Sequence, residues 1–196
     1  MNKYSPEEKF ILQKMENELP GSLTYHGLHH TLDVFNAAMK IAADENLSTA
    51  EMKLLRIAVF YHDAGFTATY KNHEEKACEM VIENLPSFGY TDEEIVIICG
   101  MIMATKIPQS PQTLLEKIIC DADLDYLGRN DYYKISNTLF TEMKIYVHLN
   151  DEKEWYKIQK KFLEKHKYYT KFGQKKREPQ KQKYLKEIRQ LISTYK

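Results

Sequence analysis

Apolar positions along this 196-residue chain recur every three or four residues, and no segment sustains period-two alternation. That spacing predicts helices that each bury one face, not half-buried strands. The first run, Phe10, Ile11 and Met15, follows Ser5-Pro6-Glu7-Glu8, which offers an N-cap hydroxyl, a proline at the first helical position and a glutamate three after the cap. It breaks at Leu19-Pro20-Gly21. A second helix, from near His29, carries Leu32, Val34, Phe35, Ala38 and Ile41. Ser48 with Glu51 boxes the start of a third, whose Leu54, Leu55, Ala58 and Val59 lead to His62 and Asp63, with Gly65 expected to end it. Asn72 is expected to cap a fourth helix through Ala77, Met80 and Val81 to Leu85-Pro86. Thr91 and Glu94 box a fifth through Ile95 and Ile98; that stretch alone would pass for a strand, but its flanks are helix-forming.

Pro108 and Pro111 mark a loop, after which Leu114, Leu115 and Ile118 carry a short helix to the acidic turn from Asp121 to Asp125. Two long helices follow, roughly Asp131 to Leu149 and Asp151 to Lys167, joined at Asn150, and a last one begins after Pro179. The expected fold is an all-α bundle of about eight or nine helices. With no internal repeat and no long linker, residues 1–196 are expected to form a single domain.

Composition narrows the class. Apolar residues make up 43% and charged residues 29%, with seven glycines and six prolines, which excludes collagen-like, low-complexity and wholly disordered chains. No run approaches the roughly 18 apolar residues of a membrane span, and MNKYSPEEKF is charged where a signal peptide is apolar, so a cytoplasmic protein without a membrane partner is expected. Cys78, Cys99 and Cys120 are odd in number and lack CxxC spacing; they read as buried thiols. Formal net charge is zero, yet residues 1–140 carry −9 and residues 141–196 carry +9. Such a basic tail either binds an anion or docks on the acidic part of its own chain. Nucleic acid is the less expected partner, because Trp155, Ile158, Phe162 and Leu163 have the spacing of a packed helix face.

The candidate chemistry gathers at two places. Tyr25-His26-Gly27-Leu28-His29-His30-Thr31 opens the second helix, and the apolar run Ile57 to Tyr61 delivers His62 and Asp63 from the buried third. Imidazole with carboxylate is a ligand set for borderline divalent cations, and buried charge must be paired or bound to metal. The order Tyr25-His26, His30-Thr31, Val34, then His62-Asp63 behind an apolar helix, then Ala122-Asp123-Leu124 behind Ile118-Ile119 resembles the HD-domain superfamily of metal-dependent phosphohydrolases. The resemblance spans about residues 22–130, with the helices of 131–196 packed on that core. It implies an HD-domain-like helical bundle and proposes His30, His62, Asp63 and Asp123 as metal ligands. His29 stays open as an alternative to His30. Asp121 stays open as an alternative to Asp123, and would otherwise orient a ligand or a water.

Dinuclear relatives carry further histidines where this chain has only His73, and Lys106 stands where a histidine often does, so one divalent ion is expected. Mixed imidazole and carboxylate ligands suit manganese, iron, nickel, cobalt or zinc, and magnesium less well. The implied reaction is attack of a metal-activated water on a phosphate ester. Asp63, His73 and Lys106 are the expected catalytic residues, and Lys106, Arg129 and His26 the expected substrate contacts. Lys71, Lys76 and, from the tail, Lys171 and Arg177 are further cations for the phosphate. Tyr25, Phe66, Tyr70 and Tyr126 could stack a base or simply pack. The expected partner is a small phosphorylated substrate, a nucleotide or related metabolite, for a phosphomonoesterase or phosphodiesterase. A homodimer is compatible, and the alternative function is a non-catalytic nucleotide sensor using the same metal site.

Overall fold

The computed structural model describes residues 4–195; residues 1–3, part of the charged N-terminal stretch, and residue 196 lie outside it. Its described residues form ten α-helices and three short 3-10 turns, with no strand. The helices are α1 (Pro6–Glu18), α2 (Leu28–Ala42), α3 (Thr49–Tyr61), α4 (His73–Asn84), α5 (Asp92–Thr105), α6 (Leu114–Asp123), α7 (Tyr132–Tyr146), α8 (Glu152–Lys165), α9 (Lys171–Lys176) and α10 (Glu178–Thr194). None is long and apolar enough to cross a membrane.

The expected capping boxes at Ser5, Ser48 and Thr91 are all formed, each side chain accepting from the backbone N–H three residues on. Thr113 with Glu116 forms a fourth, which starts α6. Two expectations fail for backbone reasons. Asn72 stands before α4 in the left-handed region, φ 57°, and its side chain caps nothing. Gly65 does not end α3, which stops at Tyr61; it lies inside a 3-10 turn, Ala64–Thr67, where a Cβ would sit 1.9 Å from the His73 carbonyl oxygen. Gly65 is thus a close-approach residue that lets α4 pack on that turn. The tail also contains α9, which the apolar pattern does not announce in six residues of KFGQKK.

Helices α1 to α6 enclose the main core, around Ile11, Ala38, Leu55, Phe60, Ile98 and Ile119. A second cluster joins Tyr25, Leu124, Leu127 and Tyr132 to Leu163 of α8 and Tyr184, Leu185 and Ile188 of α10. Fully burying each large apolar side chain contributes about 1.5 to 3 kcal/mol. Two buried carboxylates pin the tail as well. Asp121 accepts from the Tyr169 and Thr170 backbone N–H groups, both at 2.8 Å, and from the Thr170 hydroxyl at 2.7 Å. Asp125 pairs with Arg177 at 2.6 Å. Of the three free thiols only Cys120 is buried; Cys78 and Cys99 are half-buried, and each thiol faces the other's carbonyl between α4 and α5 at 3.7 and 3.9 Å.

Candidate metal centre

Three helix ends meet at one point. His30 lies in the first turn of α2, His62 caps the C-terminus of α3 with Asp63 following, and Asp123 is the last residue of α6. Because α2 packs on both α3 and α6, these ends are brought face to face. His30 Nε2 lies 3.1 Å from Asp123 Oδ1 and 3.4 Å from Asp63 Oδ2, and His62 Nε2 lies 3.4 Å from Asp63 Oδ2 and 3.7 Å from Asp123 Oδ1. Ligand atoms each about 2.0 to 2.2 Å from one ion are spaced roughly 3 to 3.5 Å apart, so these separations suit a shared cation.

The donor atoms are prepared for that role. His62 Nδ1 donates to the Val59 carbonyl at 2.8 Å, which turns Nε2 to the cluster, where a bound cation would take the place of its proton. His62 Nε2 and Asp63 Oδ2 are both buried and have no hydrogen-bond partner. Burial alone would lower the His62 pKa, but Asp63 and then Asp123 outweigh it and raise it to about 9. Burial would likewise raise Asp63 and Asp123, yet the surrounding histidines hold both carboxyls below their ordinary value. Two ionised carboxylates among imidazoles, with two buried polar atoms left unpartnered, form a site that fits a divalent cation.

Around this cluster the expected residues divide. His73 Nε2 approaches Asp63 Oδ1 at 3.4 Å. Phe66 is sandwiched between the His26 and His73 rings, at centroid distances of 4.3 and 3.9 Å. His29 is exposed and takes no part in the cluster. Asp121, the open alternative to Asp123, accepts three hydrogen bonds from residues 169 and 170. Lys106, expected at the phosphate, is the C-cap of α5 and pairs with Glu75. Arg129 is likewise engaged elsewhere, held by Asp33, Asp131 and Asp125 at 2.8, 2.9 and 3.5 Å. Arg177 is spent on Asp125, and Lys76 pairs with Glu79. The motif loops carry carboxylates as well as cations, and the nearest carboxylates claim them.

The residue that sequence reasoning missed is Glu142. Fully buried on α7, it accepts from the Tyr25 and His26 backbone N–H groups at 2.8 and 3.0 Å, pairs with His26 Nδ1 at 2.5 Å, and accepts from the Tyr70 hydroxyl at 3.3 Å. Burial would raise its pKa, but His26 and the two N–H groups lower it. A lone glutamate in mid-helix carries no local signal; only the tertiary fold shows that it organises the loop before α2. A cleft of about 250 Å³ opens over the cluster, reaching His26, Asp63, His73 and Asp123. Its far walls are Tyr126 and, from α8, Trp155, Ile158 and Phe162. The face of α8 expected to be packed is therefore split: Trp155 and Leu163 are buried, while Ile158 and Phe162 are half-buried along the cleft.

Comparison with known proteins agrees with this geometry. The family model of the HD domain matches residues 27–125. A solved structure, described as a predicted HD superfamily hydrolase from an uncultured Thermotogales bacterium, shares the fold with a TM-score of 0.63 over 97% of this chain and 94% of its own, at 18% identity. No curated protein matches the sequence.

Proposed function

Starting from a chain that belongs to the HD-domain family, we propose a metal-dependent phosphohydrolase that cleaves a phosphate ester of a nucleotide or related small metabolite. The observation that carries this reading is the convergence of His30, His62 and Asp123, with Asp63 Oδ2 3.4 Å from both imidazoles and two buried, unpartnered donor atoms among the four. Those four residues would hold one divalent ion, of which manganese, iron, cobalt, nickel and zinc suit the mixed donors best. Bound there, such an ion supplies Lewis-acid chemistry, offsetting phosphoryl charge and making water acidic enough to ionise near pH ~7.

The remaining steps belong to the chain's own groups. His26 lines the cleft with Nδ1 held by Glu142, so Nε2 is the ring atom available to give a proton to the leaving oxygen. His73, steadied against Phe66 and Asp63, presents the other imidazole to a phosphoryl group. With Lys106 and Arg129 engaged by carboxylates, His26, already an expected contact, is joined by His73 as a proposed substrate contact. The aromatic and aliphatic walls Tyr126, Trp155, Ile158 and Phe162 suit the ring of a nucleoside and exclude water from the reacting group.

Elemental analysis of the purified protein, combined with a phosphate-release and phosphodiester screen over nucleotides with added manganese, tests the proposal. His62→Ala is expected to lose both metal and turnover while staying helical. Stoichiometric metal in that variant would show the cluster to be misassigned. Nucleotide binding without turnover of any ester would replace the enzyme with a sensor.

A further inference from the structure

Beyond the metal cleft, past Ile107, Leu124, Ile158 and Phe162, which border both, lies a second cavity of about 310 Å³. Its floor is apolar, and its rim carries Lys161, Lys165 and Lys167. Positions 158, 161, 162 and 165 follow the i, i+3, i+4, i+7 spacing of one α8 face, so this face presents apolar contact and positive charge together.

These lysines differ from their neighbours. Lys160 pairs with Glu164 and Lys181 with Glu178, whereas among the described residues no carboxylate pairs with Lys161, Lys165 or Lys167, and all three are exposed. His166 stands between the last two and also lines the cavity. The buried Lys181 ammonium donates to the His166 carbonyl at 2.6 Å and lies 3.3 Å from Nδ1. An ammonium has no lone pair, so Nδ1 is the acceptor and the ring proton sits on Nε2. That Nε2 is buried and has no partner. Burial, reinforced by the Lys181 charge, lowers the ring to about 4, so it is a neutral donor at ordinary pH. Three unpaired cations thus edge an apolar slot that shares four wall residues with the metal cleft, and the unpartnered His166 N–H lies buried in its lining.

We infer that this groove is a distal anion subsite, which takes a second phosphate of an elongated substrate whose scissile phosphate lies at the metal cluster. The nucleoside between the two phosphates lies over Ile158 and Phe162. The substrate class is then a nucleotide with two separated phosphoryl groups, either a nucleoside bisphosphate or a dinucleotide with a terminal phosphate. The inference rests on the phosphohydrolase reading for the scissile end alone; anion binding in the groove is measured without turnover.

The test compares adenosine 3′,5′-bisphosphate and a 5′-phosphorylated diadenosine dinucleotide with adenosine 5′-monophosphate and p-nitrophenyl phosphate. It uses the wild type, Lys161→Ala/Lys165→Ala, and Lys175→Ala/Lys176→Ala, at two exposed lysines away from the groove, as a control of equal net charge. Binding of the same nucleotides to metal-stripped protein is measured in parallel at low and high salt. A doubly phosphorylated ligand is expected to show KM and Kd values about tenfold lower than the monophosphate in the wild type and the control. The advantage disappears in the double variant, while kcat for p-nitrophenyl phosphate is unchanged. Whichever of the two doubly phosphorylated ligands gains more identifies the source of the second phosphate. Hydrolysis without that preference, or a preference that survives the double substitution, overturns the subsite. Lysine-dependent binding with no ester hydrolysed overturns the phosphohydrolase reading and supports the anion site by itself.

Discussion

Four acids in and around the site are each assigned by the groups that face them. Asp63 and Asp123 face imidazoles; Glu142 faces backbone N–H groups and one imidazole; Asp121 faces the tail. If His26 Nε2 is the proton donor, His26→Ala should lower kcat by about 10² to 10⁴-fold with metal content intact. Glu142→Gln should lower it by roughly 10 to 100-fold and shift the pH profile, and an unshifted profile would reduce Glu142 to a purely structural anchor. Asp121 gives a different prediction, because burial raises its pKa to about 6. A folded-state pKa above the unfolded value of ~3.9 means that the native protein keeps a proton the unfolded chain has released, so stability falls as pH rises from ~4 through ~6. In denaturant titrations across that range the wild type should lose up to about 3 kcal/mol relative to Asp121→Asn, and a constant gap would contradict the raised pKa. His30, His62, Asp63 and Asp123 were legible only through the order of motifs that resembles the HD-domain superfamily, which left His29 and Asp121 open as alternatives. Glu142, the Glu75 partner of Lys106 and the Asp33 partner of Arg129 were not, since those contacts cross from 31 to 117 positions of chain.

At the level of elements, the serine and threonine caps read straight from sequence because a cap and its N3 glutamate are three residues apart. Gly65 and Asn72 misled because their role depends on a neighbour that sequence spacing does not reveal. The interior of α3 sets the height of His62 and Asp63, and the turn after it sets the distance to α4 and His73. Gly65→Ala would drive a methyl into the His73 backbone, with 2.8 Å to its carbonyl carbon. It is expected to cost about 1 to 3 kcal/mol in stability through overpacking, and to reduce turnover more than metal affinity, because His73 moves while His62 does not. Equal loss of both, measured by metal titration and initial rates, would mean that the whole of α3 shifts. Gly128 has the same character at the other end of the fold, with 2.4 Å from a built Cβ to the Arg177 carbonyl oxygen.

Across the whole molecule, the segregated charge resolves into two uses. Arg177 and Lys181 turn inward, the first onto Asp125 and the second onto Glu178 and His166, and both belong to the packed tail. Lys175 and Lys176 stay exposed. Charge reversal at those two should leave stability within about 0.5 kcal/mol each. Arg177→Glu, by contrast, sets an acid against buried Asp125 and should cost about 3 to 5 kcal/mol, as breaking a buried pair does. Equal unfolding midpoints for the two kinds of reversal would refute the inward assignment. Truncation after Glu164 removes the partners of Asp121 and Asp125 together with Tyr184, Leu185 and Ile188, and should give an insoluble or non-cooperative protein. A soluble, cooperatively folded and fully active fragment would make residues 165–196 dispensable. The apolar spacing of α8 and α10 announced this packing, while the half of α8 that borders the cleft was hidden by the same spacing, since a wall and a core face look alike in one dimension.

The single tryptophan, Trp155, is 2% exposed, stacks on Phe140 at 5.3 Å and stands in the wall of the cleft. The protein therefore carries its own optical reporter at the junction of α7, α8 and the metal cleft. A planar ligand entering the cleft, or a paramagnetic ion at the histidines, would quench indole emission without any added label. Loosening of the C-terminal helices would shift that emission to the red even while α1 to α6 stayed folded, so fluorescence and helical circular dichroism would follow two different parts of one unfolding curve.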